Sequence, residues 1–313
     1  MFAMREHIEQ SINRLLLSVY FSIEMFAMSE QNRQPLQRLL TSLPAGPLVD
    51  AAWLKAQGIS RTSIHDYVQR GWLERVAPRV YRRPTAASAA KPPRWDMAVM
   101  SAQRTATSTF HVGGLTALEL LGQGHYARLG GERSVHLYDP QGTAPSWLLR
   151  LTTDATLVMH KRALFSDPLA GLEWRRFDLG TERLGVAMPS PDANEPWDYF
   201  LRVAGAERAA VELVDDVPQG VGFEHADTIF QGLTTLRPRL VTALLEGCAS
   251  IRAKRLFLFF ADRHDHSWVK HIDRRNIDLG RGKRQLVPGG RLDPQYQITV
   301  PQSFAEKPAD SVQ

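Results

Sequence analysis

The chain has 313 residues, of which 43% are hydrophobic and 23% are charged, a composition typical of a globular protein long enough for two domains. Its single cysteine, Cys248, excludes an internal disulfide framework and a CxxC zinc finger, and it fits a reducing cytoplasm. The net charge of +5 is unevenly distributed along the chain, because residues 30–95 carry 11 Lys and Arg against four acidic residues. This distribution indicates a polyanion-binding module, while the rest of the chain is near neutral.

Residues 1–29 are predicted to be an N-terminal extension. Their apolar run, Ile12–Met28, is interrupted by Asn13 and Glu24 and is shorter than the roughly 20 apolar residues of a membrane helix. It also lacks the cleavage pattern of a secretory signal. The segment from Met28 onward resembles a cytosolic N-terminus, and we expect mass spectrometry of the native protein to find Met28 or Ser29 as its first residue.

The basic segment begins with three predicted helices. Leucines on one stripe predict a helix from about Pro35 to Leu43, and a second helix is predicted over residues 48–57. A third runs over Arg61–Arg70, with Ser60 as its N-cap. Gly58 separates the last two helices, and two helices joined by so short a glycine turn are typical of a helix-turn-helix.

Two short strands, WLERV and VYRRP, follow the third helix and predict a wing joined across Ala77–Arg79. Residues 30–84 are therefore predicted to form a winged helix-turn-helix that lays its third helix in the DNA major groove. The candidates for base reading are Arg61, Thr62, His65 and Gln69. The candidates for phosphate binding are Arg70, Arg75, Arg79, Arg82 and Arg83.

Residues 85–94, rich in Pro and Ala, are predicted to be a linker. Residues 95–303 are predicted to form a larger mixed domain, and residues 304–313 a flexible tail. The predicted strands are SVHLYD, SWLLRL, TLVMHKR, LEWRRFDL, LGVAMP, RQLVPGGRL and YQITVP. The predicted helices are WDMAVMSAQ, GGLTALELLG, WDYFLRVAGAERAAVELVDD, HADTIFQGLTTL, PRLVTALLEGCAS and RAKRLFLFFADRH. Strands that precede helices indicate an α+β fold.

The larger domain offers little catalytic chemistry. His264 and His266 form a His-x-His pair, but the run before them is predicted to be a helix, where residues i and i+2 point apart. Asp215 and Asp216 are adjacent at a helix end, a poor geometry for a carboxylate pair. Arg284 stands where a phosphate-binding loop has its hydroxyl residue. The sequence therefore predicts no enzyme, no cofactor and no metal site.

The stretch LKAQGISRTSIHDYVQRGWLERVAPRVYRRP resembles the N-terminal winged helix of the AbiEi antitoxins, the regulatory half of AbiE toxin–antitoxin systems. Downstream, TSTFHVGGLTALELLGQGHY is similar to the family's histidine followed by a T-A-L-x-L-L-G helix, and we expect His111 to cap or orient that helix. The resemblance extends over about residues 34–301. It departs at the wing tip, where Ala77-Pro78-Arg79 replaces a glycine-containing turn.

The resemblance implies a cytoplasmic, DNA-binding transcriptional repressor that acts as the antitoxin of a type IV toxin–antitoxin operon. It implies autorepression at inverted repeats in double-stranded DNA, with self-association there. It also implies antagonism of a nucleotidyltransferase toxin, with or without direct contact. Two alternatives remain open: a winged-helix scaffold that binds proteins, and a DNA-processing enzyme with a winged-helix targeting module.

Overall fold

The computed structural model describes residues 30–85, 92–105, 109–123, 133–188 and 197–304. The predicted N-terminal extension, most of the predicted linker and the tail beyond residue 304 lie outside these ranges. The described chain divides into two compact units. The first contains residues 30–85 and 92–105 together with Pro145–Asp154, and the second contains the rest. Helices and sheets are mixed in both, as the predicted α+β class requires.

Within its described residues, the first unit has three helices and a three-stranded antiparallel sheet before residue 85. The helices are α1 (Glu30–Ser42), α2 (Ala51–Ala56) and α3 (Arg61–Gln69), and the strands are β1 (Leu48–Asp50), β2 (Glu74–Ala77) and β3 (Val80–Arg82). Strand β3 lies between β1 and β2. This order of a helix, a strand, two helices and a β-hairpin is consistent with the predicted winged helix.

The predicted helix over residues 48–57 is wrong in its first turn. Leu48 and Val49 are fully buried and pair with β3. Asp50 then caps α2, because its Oδ1 accepts a hydrogen bond of 2.8 Å from the backbone nitrogen of Trp53. An N-cap residue has extended backbone, so Asp50 both ends the strand and starts the helix.

A fourth helix, α4 (Trp95–Thr105), also belongs to the described part of the first unit. Eight of its eleven residues are buried, and the backbone nitrogen of Leu48 donates to Ser101 Oγ at 2.9 Å. The backbone nitrogen of Trp95 donates to Asp154 Oδ1 at 2.7 Å. The sequence pattern places residue 95 at the start of the second domain. The structure instead groups α4 with β1, because a helix that is buried on most of its sides needs neighbouring elements to cover it.

The second unit contains a six-stranded mixed sheet. Its strands are β4 (His111–Val112), β5 (Ser134–Tyr138), β6 (Thr156–His160), β7 (Leu172–Asp178), β8 (Arg183–Met188) and β9 (Phe200–Ala204). Their order across the sheet is β6-β5-β4-β9-β7-β8. The β4–β9 and β5–β6 pairs are parallel and the others antiparallel.

The described residues of this unit also form five α-helices and a small hairpin. The helices are α5 (Gly114–Leu120), α6 (Ala206–Asp215), α7 (Phe223–Gly232), α8 (Pro238–Gly247) and α9 (Ile251–His264), and the hairpin joins β10 (Arg291–Asp293) to β11 (Ile298–Val300). Helix α6 contacts α5, α7, α8, α9 and β9. Nine consecutive residues of α9 are buried, so this helix lies inside the core. No helix among the described residues is long and apolar enough to cross a bilayer.

Two local predictions for the larger domain are wrong. The segment Phe200–Ala204, predicted as helical, is β9 in the interior of the sheet, and Gly205 separates it from α6. The segment SWLLRL, predicted as a strand, contains the 3-10 turn Leu148–Arg150 in the first unit. A short apolar run fits a buried strand and a buried helix equally well, and only its neighbours decide between them.

Candidate nucleic-acid interface

Helix α3 is fixed at both ends by local backbone chemistry. Ser60 Oγ accepts a hydrogen bond of 3.0 Å from the backbone nitrogen of Ser63. Gly58 and Gly71, which flank the helix, have φ angles of +77° and +74°, a conformation that costs glycine nothing. Buried Ile59 lies in the turn between α2 and α3. The predicted caps are therefore confirmed, and they set the exit direction of the helix.

One face of α3 is anchored in the core of the first unit. Ile64 and Tyr67 are buried, and the ring of Tyr67 lies 5.4 Å from the ring of Trp72. Burial, together with the negative charge of Asp66, raises the pKa of Tyr67, so its hydroxyl stays protonated at neutral pH. This anchoring leaves the opposite face to solvent.

The four predicted base-reading side chains share that exposed face. Arg61, Thr62, His65 and Gln69 are all exposed. Thr62, His65 and Gln69 are spaced by three, four and seven residues, and Arg61 is four residues before His65, so all four lie along one side of the helix. None of the four side chains forms a hydrogen bond or ion pair with another residue that the structure describes. They are therefore available to an external ligand.

Arg70 lies at the end of this face and already interacts with neighbouring side chains. Its Nε is 3.0 Å from Asp66 Oδ1, and about two fifths of each side chain is exposed. The guanidinium carbon is also 5.8 Å from the ring centroid of Trp72. Since an exposed i,i+4 pair contributes only about 0.3–0.5 kcal/mol, Asp66 holds the Arg70 guanidinium only weakly.

The wing carries two further exposed arginines. Arg75 is exposed on β2 and Arg79 at the turn, and neither side chain forms a hydrogen bond or ion pair within the described ranges. Arg79 has a φ of +64°, and the hairpin register shifts between Arg75 and Ala77. Only Pro78 and Arg79 join the two strands, and a left-handed residue in so tight a turn is usually glycine. The missing glycine at the wing tip is thus replaced by Arg79 itself.

Arg82 is not placed for phosphate binding. It is 7% exposed, and its Nε and Nη2 donate to the two carboxylate oxygens of Glu74 at 2.9 and 3.0 Å. The two residues are opposite each other in the β2–β3 register. Opposite charges at paired strand positions stabilise a hairpin. The sequence places Glu74 and Arg82 on the two predicted strands, and an ion pair between them was therefore an alternative to the predicted phosphate contact.

Arg83 is also turned inward. Its Nη1 donates to the backbone carbonyls of Leu40 and Leu43, at 3.2 and 2.8 Å, and burial lowers its pKa. The last carbonyls of a helix have no partners within the helix, and a cation there also offsets the negative end of the helix dipole. Arg83 therefore closes the C-terminal end of α1, and the structure corrects its predicted role as a phosphate contact.

The residue-by-residue prediction overlooks two exposed cations, Arg38 on α1 and Lys55 on α2. A Cβ atom built at Gly58 would lie 3.4 Å from Nη1 of Arg38, so this guanidinium lies beside the helix-turn-helix turn. Both residues belong to the basic segment, and their positive charge was the one feature in the sequence that pointed to a role in polyanion binding. Neither belongs to the predicted third helix or wing.

In the second unit, His111 orients α5 through a buried carboxylate. Glu212 Oε1 is 2.8 Å from His111 Nε2, and Oε2 accepts a hydrogen bond of 3.0 Å from the backbone nitrogen of Gly114. Arg208 Nε donates to the same carboxylate at 2.8 Å. Burial raises the pKa of Glu212, but the charges and hydrogen bonds of His111 and Arg208 outweigh it and hold the pKa below 4.5.

The histidines near the end of α9 have structural partners. Nε2 of His264 is 2.8 Å from Asp227 Oδ1, and Nε2 of His266 is 3.0 Å from the carbonyl oxygen of Phe230. Asp262 belongs to a separate network with Arg274. These contacts fit the structural role that the sequence predicts for the His-x-His pair.

Two family models match the sequence. One, described as the transcriptional regulator AbiEi antitoxin N-terminal domain, matches residues 32–129. The other, described as the transcriptional regulator AbiEi antitoxin of the type IV TA system, matches residues 132–301. Among solved structures, the chain is similar to the RV2827C protein from Mycobacterium tuberculosis, with 16% identity and a TM-score of 0.46 over 85% of this chain and 90% of that chain. No curated protein matches the chain.

Proposed function

Because the chain belongs to the AbiEi antitoxin family of transcriptional regulators of type IV toxin–antitoxin systems, we propose that it binds double-stranded DNA and represses its own operon. The winged helix of the first unit is the DNA-binding element in this proposal. The second unit supports antitoxin action in the cytoplasm and has no catalytic role.

The observation that carries the proposal is the unpartnered polar face of α3. Arg61, Thr62, His65 and Gln69 are exposed and make no side-chain hydrogen bond within the described chain. The major groove is about 12 Å wide and admits an α-helix, and arginine, glutamine and threonine bond to base edges there. A polar, cationic helix face with no internal partner is what such a groove requires.

The flanking arginines supply the sequence-independent part of the affinity. Arg70, Arg75 and Arg79 lie on the helix end and the wing and are exposed. Each phosphate that is neutralised releases counterions and contributes about −0.9 to the slope of log K against log salt. The three together are expected to contribute roughly −3 per bound chain.

Autorepression is proposed to involve two chains on an inverted repeat. Helix-turn-helix proteins bind half-sites about one helical turn apart, and the symmetry of the operator mirrors that of the protein pair. The toxin that the antitoxin counteracts is proposed to be a nucleotidyltransferase. Its inhibition need not involve a stable complex, since repression already limits its synthesis.

The test is a fluorescence anisotropy titration of the full chain against the DNA upstream of its own gene and against a shuffled duplex of the same length. We expect tighter binding to the native duplex and a steep loss of affinity as salt rises. Failure to bind either duplex in dilute buffer would overturn the proposal and favour a protein-binding scaffold. Cleavage of the DNA in Mg²⁺ or Mn²⁺, lost on changing Asp262 or His264, would indicate a DNA-processing enzyme.

A further inference from the structure

Three side chains of metal-ligating types meet in the second unit. His136 lies on β5, His160 ends β6, and Asp216 caps the C-terminal end of α6. One potential ligand atom of each residue lies within 4.8 Å of the other two. They form no motif in the sequence, because 24 and 56 residues separate them along the chain.

The parallel register of β5 and β6 brings the two imidazoles together. His136 is opposite Val158, and Tyr138 is opposite His160. Because residues two apart on a strand share a face, both histidines project from the same side of the sheet. Nδ1 of His136 is 2.9 Å from Nε2 of His160, and the rings are stacked at 5.2 Å. Only one of the two facing nitrogens carries a proton in such a contact, and a neutral imidazole can carry that proton on its other nitrogen, which leaves both facing nitrogens with a lone pair for one ion.

The carboxylates at the end of α6 differ in their partners. Glu212 and Asp215 each form ion pairs with arginine side chains. Asp216, in contrast, accepts no side-chain hydrogen bond from the residues that the structure describes, and its Oδ1 is 4.0 Å from Nδ1 of His160. The C-terminal end of a helix carries partial negative charge. The carboxylate of Asp216 therefore lies where a cation is stabilised.

We propose that His136, His160 and Asp216 bind one divalent transition-metal ion, zinc being the ion that this ligand set suits. Two imidazoles and one carboxylate are the protein ligands of zinc sites that leave a fourth position open. The nitrogen ligands would be His136 Nδ1 and His160 Nε2, which tetrahedral zinc spaces by about 3.3 Å, so these two atoms must separate by about 0.4 Å. The Asp216 carboxylate, whose 4.0 Å contact is with the other ring nitrogen of His160, must turn toward this nitrogen pair. The ion reaches the site from solvent, since the His160 and Asp216 side chains are 20% and 25% exposed.

The surroundings hold two of the ligands in place. The ring of Tyr138 stacks on that of His160 with centroids 4.5 Å apart. The backbone nitrogen of His136 donates to Thr116 Oγ1 at 2.9 Å, which ties β5 to α5. Ligands whose orientation is fixed by neighbouring groups bind metal more tightly than mobile ones.

The experiment uses the full chain, purified without a histidine tag and stripped with a chelator. Equilibrium dialysis against Zn²⁺ followed by elemental analysis gives the stoichiometry, and the visible spectrum with Co²⁺ reports the coordination geometry. We expect one tightly bound Zn²⁺ per chain and the spectrum of tetrahedral Co²⁺. Asp216→Asn and His160→Ala are each expected to weaken binding at least tenfold.

His266→Ala is the matched control, because His266 belongs to the other stacked histidine pair and should leave Zn²⁺ binding unchanged. Asp216→Asn keeps the size of the side chain, and its far-UV circular dichroism and thermal unfolding without metal verify that it folds. Substoichiometric binding by the wild-type chain, or equal binding by Asp216→Asn and the wild type, would overturn the proposal. The site is independent of the proposed DNA contacts, so either result leaves the DNA-binding test unaffected.

Discussion

Arg82 and Glu74 form a two-point ion pair across the β2–β3 hairpin, with nitrogen–oxygen distances of 2.9 and 3.0 Å. The guanidinium is buried against the hairpin, while the carboxylate is about one third exposed. This pair separates the arginines of the basic segment into two classes. Some hold the winged helix together, and others are free to meet a polyanion.

Replacing Arg82 by alanine is expected to destabilise the first unit by about 1.5–3 kcal/mol, the range for hydrogen bonds to charged groups. Urea unfolding monitored by tryptophan fluorescence measures the loss. Arg79→Ala, in the same hairpin, is the control and should leave stability close to that of the wild type. If Arg82→Ala kept full stability but reduced the salt dependence of DNA binding, Arg82 would be a phosphate contact after all.

Arg79→Gly should separate backbone strain from charge. Arg79 has a φ of +64°, and a left-handed conformation costs a non-glycine residue roughly 1–2 kcal/mol. Glycine relieves this cost but adds freedom to the unfolded chain, so we expect stability to stay within about 1 kcal/mol of the wild type. DNA affinity should fall for all sequences alike, and the salt slope should become about 0.9 less steep. A sequence-selective loss would contradict the phosphate assignment.

Arg61→Ala tests base reading. If Arg61 contacts a base, the substitution should reduce affinity for the native operator by about 1–3 kcal/mol and relax discrimination against a shuffled duplex. Competition titrations with single-base variants of the operator locate the position that it reads. Equal losses on native and shuffled DNA would assign Arg61 to the backbone instead.

Asp66→Asn is expected to strengthen DNA binding. The Asp66 carboxylate lies 3.0 Å from Arg70 Nε and repels approaching phosphates. A charge pair near 4 Å in water is worth about 1 kcal/mol, so removal of the carboxylate should raise affinity about fivefold. Anisotropy titrations at low salt measure the gain, and Glu224→Gln in the second unit is the control. Unchanged affinity would show that Arg70 does not reach the DNA.

The pH dependence of stability should report the buried Glu212. Its pKa is held below 4.5 in the folded chain, so the stability it contributes is complete above pH 4.5 and is lost as the pH falls below that value. The difference in unfolding free energy between the wild type and Glu212→Gln should therefore be largest near neutral pH and shrink on acidification. Exposed Glu246→Gln is the control. A difference that is constant with pH would contradict the ionised state of Glu212.

The sequence by itself determined the local framework of the winged helix. Ser60 and the glycines at positions 58 and 71 bound α3 through backbone preferences that act over a few residues. Local sequence also predicts the hairpin and most helices of the second unit, because the spacing of hydrophobic residues is enough to identify these elements. The family resemblance was also readable from contiguous motifs, and the family models confirm it.

Tertiary structure alone decided which residues remain free and which elements lie side by side. The guanidinium of Arg83 donates to the backbone carbonyls of Leu40 and Leu43, which are 43 and 40 residues earlier in the chain. Strand β9 forms because β4 and β7 flank it in the sheet. His136, His160 and Asp216 meet only because two strands and a helix end converge. Hydrogen-bond partners and burial are set by contacts between distant segments, and residue type and spacing do not encode these contacts locally.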